Sequence, residues 1–278
     1  MDCMIRGTQM ANRVLIDCKG LSRLYERFVG SVGCLKTGAI GGRMMSSQSQ
    51  ALADCMSQLD PKQVQLLDEQ CIVVDDNDVP LEAKSKKDCH LMANIDKGLI
   101  HRAFSVMLFN SSGELLLTQR SDAKITFPSY FTNTCCSHPL YNELERDEKN
   151  AIGVKRAAQR RLQTELGIDS LKIPLEDIKY MTRFLYKAPS GGLWGEHEID
   201  YALVIQKDVP LNPDPNEVKF CHYVSKDNMM SFLKNEELKG NQVTPWFRLM
   251  IENFLFEWWN QLHDLDKFQD HINIHKLP

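Results

Sequence analysis

At residues 150–168 the chain reads NAIGVKRAAQRRLQTELGI, which predicts a helix over 150–166. These residues are good helix formers, and Gly167 follows at the position where glycine commonly ends a helix. Arg161 and Glu165 are four residues apart and therefore share one helix face. That pair is typical of a surface ion pair, worth about 0.3–0.5 kcal/mol, but it also suits a site that binds phosphate.

Strand and helix patterns alternate on both sides of this helix. Turn-forming residues at 110–114 separate two apolar runs, which is typical of a hairpin, and Gly191-Gly192 separates two more. No internal repeat and no long linker follow residue 55, so we expect one α+β domain of about 220 residues. Strands are predicted at 71–75, 102–109, 115–119, 178–186 and 196–205, and helices at 62–70 and from Thr244 through Trp259.

The composition is that of an ordinary globular protein. Of 278 residues, 43% are hydrophobic and 25% are charged, and the net charge is −4. The mildly acidic balance argues against a general nucleic-acid binder, and the longest apolar run, 103–109, is far shorter than the ~18 residues of a membrane span. Nine cysteines without a secretory signal indicate free thiols in a reducing compartment. We expect a monomer without a nucleic-acid partner or a membrane span.

The first 50 residues differ in charge from the rest. They carry seven basic and three acidic side chains, against 26 basic and 34 acidic in the remainder. An amphipathic helix pattern followed by a segment rich in Gly and Ser resembles a mitochondrial transit peptide, although Asp17 and Glu26 are unusual in one. The alternative is a disordered extension. Residues 1–55 are therefore predicted to be an extension or a targeting segment, and residues 56–278 the folded domain.

Residues 132–139, TNTCCSHP, bring a thiol and an imidazole close together. Successive side chains of a strand point to opposite faces, so Cys136 and His138 share a face that Cys135 cannot reach. This spacing suits a metal-binding pair, a nucleophile with its base, or a buried cysteine beside a surface histidine. Free cysteines are among the most buried residue types, which favours the last interpretation for this motif alone.

Residues 195–200, GEHEID, place two carboxylates side by side. In a strand, Glu196 and Glu198 project from one face and His197 from the other. Neighbouring carboxylates repel each other and need a cation, a shared proton or solvent. The alternative is a solvated edge strand, but the apolar run at 201–205 follows directly and favours a metal near the interior.

Two more histidines bracket a short loop before an apolar strand. Each alone is typical of a satisfied core or surface histidine. With the residues above they would form a site of three imidazoles and two carboxylates, which suits a six-coordinate divalent ion such as Mg²⁺, Mn²⁺ or Zn²⁺. The five candidate ligands are His90, His101, His138, Glu196 and Glu198.

Basic side chains gather near these motifs. Arg120 and Lys124 flank a short polar loop, and Lys86 precedes His90 by four residues. Arginine and lysine bind oxyanions through charge-assisted hydrogen bonds, so these residues indicate a grip on a phosphate.

Residues 160–168, RRLQTELGI, resemble a degenerate Nudix box, whose usual form is R-E-U-x-E-E-x-G-U with U an aliphatic residue. Arg161 and Thr164 replace two of the three glutamates with which Nudix hydrolases hold their metals. Glu165 remains, so the resemblance disfavours hydrolysis while it still allows one contact with a Mg²⁺–diphosphate.

Three further motifs resemble the type I isopentenyl-diphosphate Δ-isomerases of the animal kind. They are RSDAK at 120–124, TNTCCSHP at 132–139 and WGEHEID at 194–200, and the resemblance covers roughly residues 60–260. It implies a Nudix-type mixed sheet packed between helices in one domain. It also implies the interconversion of isopentenyl and dimethylallyl diphosphate by an allylic proton shift, as in isoprenoid and sterol biosynthesis.

The resemblance also implies a role for each site residue. Cys136 and Glu198 would be the acid/base groups on opposite faces of the substrate, and the three histidines, Glu196 and Glu198 would bind one divalent ion. Glu165 would reach a second ion, a Mg²⁺ that arrives with the diphosphate. The implied substrate-binding residues are Lys86, Arg120, Lys124, Ser137, Arg161, Tyr186 and Trp246.

The chemistry of such a reaction is demanding. One carbon gains a proton and a carbon two positions away loses one, through an intermediate that resembles a tertiary carbocation and that water would trap. An indole face stabilises such a charge by about 2 kcal/mol when it is desolvated. Trp246 is expected there, although its helical spacing with Met250, Phe254 and Trp258 is also typical of core packing.

Two alternatives remain, a Nudix diphosphohydrolase and a catalytically weak paralogue that binds isoprenyl diphosphates. Ser129 stands where the family generally has glycine, and 141–149 lacks an expected proline turn. The family resemblance implies a cytoplasmic or peroxisomal enzyme, but residues 273–278 do not resemble a peroxisomal S-K-L signal.

Overall fold

The computed structural model describes residues 52–278. The basic amphipathic segment and the Gly- and Ser-rich segment that the sequence predicts before residue 50 lie outside the described residues. Both alternatives for residues 1–55, and the domain boundary itself, therefore stay predictions. No helix among the described residues is both long and apolar enough to span a bilayer.

The described residues alternate between strands and helices. The strands are β1 (Gln70–Val74), β2 (Pro80–Ser85), β3 (Ile100–Phe109), β4 (Leu115–Arg120), β5 (Phe131–Thr132), β6 (Cys135–Ser137), β7 (Lys179–Gly191), β8 (Trp194–Gln206), β9 (Val218–Val224) and β10 (Ile274–Lys276). The α-helices are α1 (Pro61–Leu66), α2 (Lys86–His90), α3 (Met92–Ile95), α4 (Ile152–Leu166), α5 (Lys226–Leu238), α6 (Pro245–Met250) and α7 (Phe256–Asn260). A π-helical turn, Ile251–Leu255, joins α6 to α7, and 3₁₀ turns lie at Lys149–Ala151, Ser170–Lys172, Leu175–Asp177 and Leu262–Phe268.

The centre of the sheet is the parallel pair β3 and β8. Their register runs from His101 opposite Glu198 to Phe109 opposite Gln206. On its other side β3 pairs antiparallel with β1, β6 and β4, while β8 pairs antiparallel with β7. β10 adds to β7 in parallel, and β9 adds to β4 antiparallel. The sheet is therefore mixed, as the sequence predicts.

Helices cover both faces of this sheet, because alternate residues of the central strands are apolar on both sides. α4 packs on one face through Val154, Ala157, Ala158, Leu162 and Leu166, all of them buried. α5, α6 and α7 pack on the other face and contribute the side chains of Met229, Leu233, Trp246, Phe247, Trp258 and Trp259. The predicted α+β class, with a mixed sheet between helices, is confirmed.

Several elements differ in length from their predicted bounds. β7 and β8 extend to Gly191 and Trp194, because Gly191 and Gly192 have φ values of 96° and 60° and close a tight hairpin that keeps the strands paired. α4 begins at Ile152 rather than at 150, since the two preceding residues are left-handed. β2, β9 and α5 were not predicted. β2 is largely exposed and therefore lacks the apolar alternation that reveals a strand.

Packing of α4 on the sheet predicts a large loss of stability for Leu162→Ala. Leu162 is 1% exposed, so its truncation leaves a cavity and should lower the free energy of unfolding by about 2–5 kcal/mol. Gln163→Ala, on the exposed face of the same helix, should change it by less than about 0.5 kcal/mol. Urea unfolding followed by circular dichroism measures both, and equal losses would contradict this packing.

Candidate active site and metal centre

The candidate site lies on the face of the sheet that α6 covers, where β3, β6, β7 and β8 meet. Glu198 of β8 is opposite His101 of β3 on one side and Tyr186 of β7 on the other. Glu196 and Glu198 point to this face, whereas His197 points away and lies 2.9 Å from the Leu99 carbonyl oxygen through its Nδ1. The side chains of this strand therefore alternate between the two faces as the sequence predicts.

Five buried side chains converge beside this strand pair. Each of them offers one ligand atom, and those atoms all lie within 4.8 Å of one another. The three imidazole centroids are 4.8 Å apart in every pairing. The sequence places these residues far apart, on α2, on β3, after β6 and on β8: they are His90, His101, His138, Glu196 and Glu198.

Unpaired polar atoms show that this cluster fits a cation. Among residues 52–278, His90 Nε2, both ring nitrogens of His101, His138 Nδ1 and Glu196 Oε2 are buried without a hydrogen-bond partner. His90 Nε2 lies 2.9 Å from Glu196 Oε2, yet no hydrogen bond joins them. Since buried polar groups are costly when they are unpaired, imidazole and carboxylate groups arranged this way suit a divalent metal ion.

The helix α2 also prepares His90 for such a role. Its Nδ1 lies 2.6 Å from the Lys86 carbonyl oxygen, to which only a protonated ring nitrogen can donate. In the neutral ring, Nε2 then carries the lone pair, and this atom lies 2.9 Å from Glu196 Oε2. A one-turn helix thus sets both the position and the tautomer of this histidine.

The electrostatics of the cluster keep the Glu198 carboxylate ionised but act differently on two of its imidazoles. Burial lowers the pKa of His90, but the charge of Glu196 outweighs burial and raises that pKa. Burial raises the pKa of Glu198, but the close contact and charge of His101, the charge of His90 and the hydrogen bond from Tyr186 outweigh burial and hold that pKa at about 2. Burial, together with repulsion from the neighbouring rings, lowers the pKa of His138 well below its ordinary value. Metal binding requires an ionised carboxylate and unprotonated imidazoles, and the shifts of Glu198 and His138 are in that direction.

Glu198 has a second partner on the opposite side. Tyr186 donates its hydroxyl to Glu198 Oε2 at 2.6 Å, while Oε1 lies 2.8 Å from His138 Nε2 and 3.1 Å from His101 Nε2. The carboxylate is therefore held between the histidine cluster and the aromatic wall of the cavity. Burial, and after it the charge of Glu198, raises the pKa of Tyr186 well above its ordinary value.

Cys136 lies on the same face and is held by two neighbours. Its thiol donates to Asn133 Oδ1 at 2.9 Å, and Trp246 Nε1 donates to its sulfur at 3.0 Å and to Asn133 Oδ1 at 3.1 Å. Burial raises the pKa of Cys136 to about 12. Cys135, the adjacent cysteine, packs into the core on the α4 side of the sheet, in agreement with strand alternation.

Trp246 combines the two roles that its sequence pattern allows. Its indole belongs to the core on the α6 side and packs edge-on against Phe127 at 5.3 Å. It also lines the cavity, 6.2 Å from the Tyr186 ring and 5.6 Å from the Arg120 guanidinium carbon. The core and cavity interpretations of this tryptophan are therefore compatible.

The other end of the cavity is basic. Arg120 donates to the carbonyl oxygens of Thr126 and Phe127, which hold its guanidinium beside the indole. Lys124 donates to Glu217 at 2.6 Å, and burial lowers the pKa of Lys124 to about 8. Lys86, Arg120, Lys124 and Ser137 line one cavity with Cys136, His138, Tyr186, Glu196, Glu198 and Trp246.

Three of the predicted residues do not line this cavity. His101 is fully buried, although its Nε2 lies 3.1 Å from Glu198 Oε1. Arg161 and Glu165 lie on α4 next to the basic end, where the guanidinium donates to Glu165 Oε1 at 2.7 and 3.0 Å. Arg161 and Glu165 thus form an ion pair, as one of the two interpretations predicts, but the pair is buried and does not lie on the surface.

Sequence reasoning missed several polar residues at this site. Asn133, Glu217 and the pair Ser105 and Asp200 are all buried beside the predicted residues. Ser105 donates to Asp200 Oδ2 at 2.7 Å, and burial raises the pKa of Asp200 well above its ordinary value. Asp200 falls within the quoted GEHEID motif, so the alternation of that motif is a signal that would have found it.

The two departures from the family pattern are accommodated locally. Ser129 adopts a φ of 65°, the left-handed conformation that glycine favours, and its hydroxyl donates to Asp122. In the loop that lacks the expected proline, the buried carboxylate of Glu145 accepts hydrogen bonds from the Leu140 amide and from Arg160. Neither departure moves a predicted site residue out of the cavity region.

Comparison with known proteins identifies the family of this chain. A family model described as NUDIX domain matches residues 99–247. Isopentenyl-diphosphate Delta-isomerase 1 of Mus musculus is 58% identical over 221 residues, which are 80% of this chain and 97% of the mouse protein. The isomerase of the same name from Bos taurus is 55% identical over 79% of this chain and 96% of its own, and isopentenyl-diphosphate delta-isomerase 2 of Homo sapiens is 52% identical over the same shares.

The chain therefore belongs to the NUDIX domain family. Within it, the chain belongs to the isopentenyl-diphosphate Δ-isomerases, which confirms the predicted family and the assignment as an enzyme. The isomerase is favoured over the Nudix diphosphohydrolase. The family and the histidine–glutamate cluster also support a divalent metal site, while the identity of the ions stays a prediction.

We predict that the purified chain binds one divalent ion per molecule at this cluster. Glu196→Gln replaces one charged oxygen by an amide and should lower metal affinity by about 10–100-fold. His197→Ala, one residue away on the opposite face, should leave metal affinity unchanged. Elemental analysis and competition with a chelator measure both, and equal losses in the two variants would place the metal elsewhere.

Proposed function

We propose that this chain interconverts isopentenyl and dimethylallyl diphosphate, with Cys136 and Glu198 as its acid/base groups. The observation that carries the proposal is that both side chains line one cavity together with the indole of Trp246. One group adds a proton to the terminal methylene carbon, and the other removes a proton from the carbon next to the diphosphate-bearing end. In the reverse reaction the two groups exchange roles.

The aromatic wall suits the charge that develops between these two events. Protonation of the double bond leaves positive charge on the tertiary carbon, which water or a nearby nucleophile would capture. Trp246, Tyr186 and Phe127 exclude water at this end, and an aromatic face attracts a cation by about 2 kcal/mol or more when it is desolvated. Hydrogen bonds from the indole to Cys136 and Asn133 fix the orientation of the ring.

The residues proposed to hold the resident divalent ion are His90, His101, His138, Glu196 and Glu198. The ion, Mg²⁺ by family resemblance with Mn²⁺ or Zn²⁺ as alternatives, would supply positive charge that keeps Glu198 ionised and oriented. Tyr186 contributes from the other side, because its hydroxyl donates to Glu198 Oε2 and so leaves the carboxylate aligned along the cavity.

The diphosphate is proposed to bind at the basic end of the cavity. Lys86, Arg120, Lys124 and Ser137 line that end and offer donors that suit oxyanions. Arg161 contributes positive charge from just behind it, and Glu165 would bind a second Mg²⁺ that arrives with the substrate. Binding energy from the diphosphate then places the hydrocarbon tail between Cys136 and Glu198.

The compartment and the oligomeric state also stay proposals. We retain a monomer that is cytoplasmic or peroxisomal by family resemblance, with mitochondrial targeting by residues 1–55 as the alternative. Expression of the full chain fused to a fluorescent protein, with and without these residues, tests the compartment.

We predict that Cys136→Ala abolishes turnover, because one of the two proton carriers is lost, while binding of the diphosphate is retained. Cys135→Ala is the matched control: its thiol packs in the opposite core, so turnover should persist despite some loss of stability. Deuterium incorporation into isopentenyl diphosphate in heavy water measures turnover, and pyrophosphate binding measures the intact anion site. Full activity of Cys136→Ala would falsify the assignment.

The same assay separates the two alternatives. A paralogue that only binds isoprenyl diphosphates would incorporate no deuterium even in the unmodified chain. A diphosphohydrolase would release phosphate, which the isomerase should not do, since its box segment retains Glu165 alone and holds that carboxylate on Arg161.

A further inference from the structure

The buried carboxylate of Glu217 contacts two basic residues at or beside the cavity. Glu217 is 4% exposed and lies directly before β9. It accepts hydrogen bonds from Lys124 Nζ at 2.6 Å, from Arg161 Nη2 at 3.2 Å and from Gln63 Nε2 at 3.1 Å. Three separate parts of the chain, α1, the loop after β4 and α4, therefore meet at this single side chain.

The backbone around Glu217 is tied to the loop that carries Lys124. The Ser121 amide donates to the Glu217 carbonyl oxygen at 3.0 Å, and the Ser121 hydroxyl donates to the Asn216 carbonyl oxygen at 2.5 Å. The Asp214 amide donates to the Glu165 carbonyl oxygen at 2.9 Å, which docks the same segment on the end of α4. Glu217 is thus held in place by the two elements whose cations it contacts.

A buried lysine needs such a partner to stay charged. The Lys124 side chain is 8% exposed, and burial of an ammonium group favours its neutral form. The charged groups that act on it are Glu217 and Glu165, which favour the ammonium, and Arg120 and Lys86, which oppose it. Of these, Glu217 is in direct contact and exerts the largest stabilising influence on the charge.

We propose that Glu217 is a positioning residue for the diphosphate: it keeps Lys124 charged and in place at the cavity, and it anchors Arg161 beside it. The proposal rests on the proposed function, because it assigns the anion to the basic end of that cavity. Glu217 does not itself touch the substrate. It acts mainly through Lys124, which would otherwise be free to rotate or to lose a proton, whereas Arg161 keeps its second partner Glu165.

The alternative to this proposal is that Glu217 weakens binding of the anion. A carboxylate near an anion site repels the anion and competes with it for the same donors. The geometry argues against a net competitive role, because the cavity lining includes Lys124 but not Glu217, which is buried. The two effects differ in sign, so one substitution separates them.

The experiment compares Glu217→Gln with Asp214→Asn. Glutamine keeps the shape of the side chain and removes its charge, so KM for isopentenyl diphosphate and the dissociation constant of magnesium pyrophosphate should each rise about tenfold or more. The rate constant kcat should stay within about twofold, since Cys136 and Glu198 are untouched. Asp214, on the same segment, pairs with the exposed Lys62, and Asp214→Asn should change none of these values.

Two further measurements distinguish positioning from a loss of structure. The rise in KM relative to the unmodified chain should be larger at pH 8.5 than at pH 6.5, because loss of Glu217 lowers the pKa of Lys124 below its value of about 8. In a Lys124→Met background, Glu217→Gln should have a much smaller effect, because the shared partner is already gone. A merely structural role would produce neither result.

An unchanged or lowered KM in Glu217→Gln, with the fold intact by circular dichroism, would overturn the proposal. If that variant does not fold, Glu217→Asp keeps the charge but withdraws it by one methylene group, and it should raise KM by a smaller factor with kcat unchanged. Calorimetry with magnesium pyrophosphate requires no turnover. It therefore tests Glu217 even if the unmodified chain incorporates no deuterium and the proposed function fails.

Discussion

The burial of Glu196 and Glu198 on the central strand pair is the constraint on which the rest of the structure depends. An ionised carboxylate inside a protein costs several kcal/mol unless partners compensate it. Here three imidazoles and the Tyr186 hydroxyl surround the two groups, and they come from α2, β3, β7 and the residue after β6. The sheet register, with His101 opposite Glu198, is what brings these partners together.

The same principle organises the opposite end of the cavity with the charges reversed. Lys124 and Arg161 are buried cations, and the carboxylates of Glu217 and Glu165 compensate the cost of burying them. The indole of Trp246 contacts residues of both groups: it lies 5.6 Å from the Arg120 guanidinium carbon and donates to Cys136 and Asn133. A substrate with a charged head and an apolar tail fits this order of basic, aromatic and acid/base surfaces.

Sequence reasoning succeeded wherever the information was local. Strand alternation separated Cys136 from Cys135 and Glu198 from His197, and the glycine after α4 marked the end of that helix within one residue. It also brought out Arg161 and Glu165 as a pair, because spacing along a helix is a property of neighbouring residues. It failed for β2, β9 and Glu217, whose surroundings come from distant parts of the chain.

The local sequence was therefore enough to establish the class of fold, the faces of the main strands and the residue types that carry the chemistry. The tertiary structure alone showed that the five metal-ligand candidates converge and that the ion pair of Arg161 and Glu165 is buried. It also showed that Asn133 accepts hydrogen bonds from both the Cys136 thiol and the Trp246 indole. The physical reason is that periodicity records which way a side chain points within its own element. Distances between elements depend instead on strand register and helix packing, which arise from the whole chain.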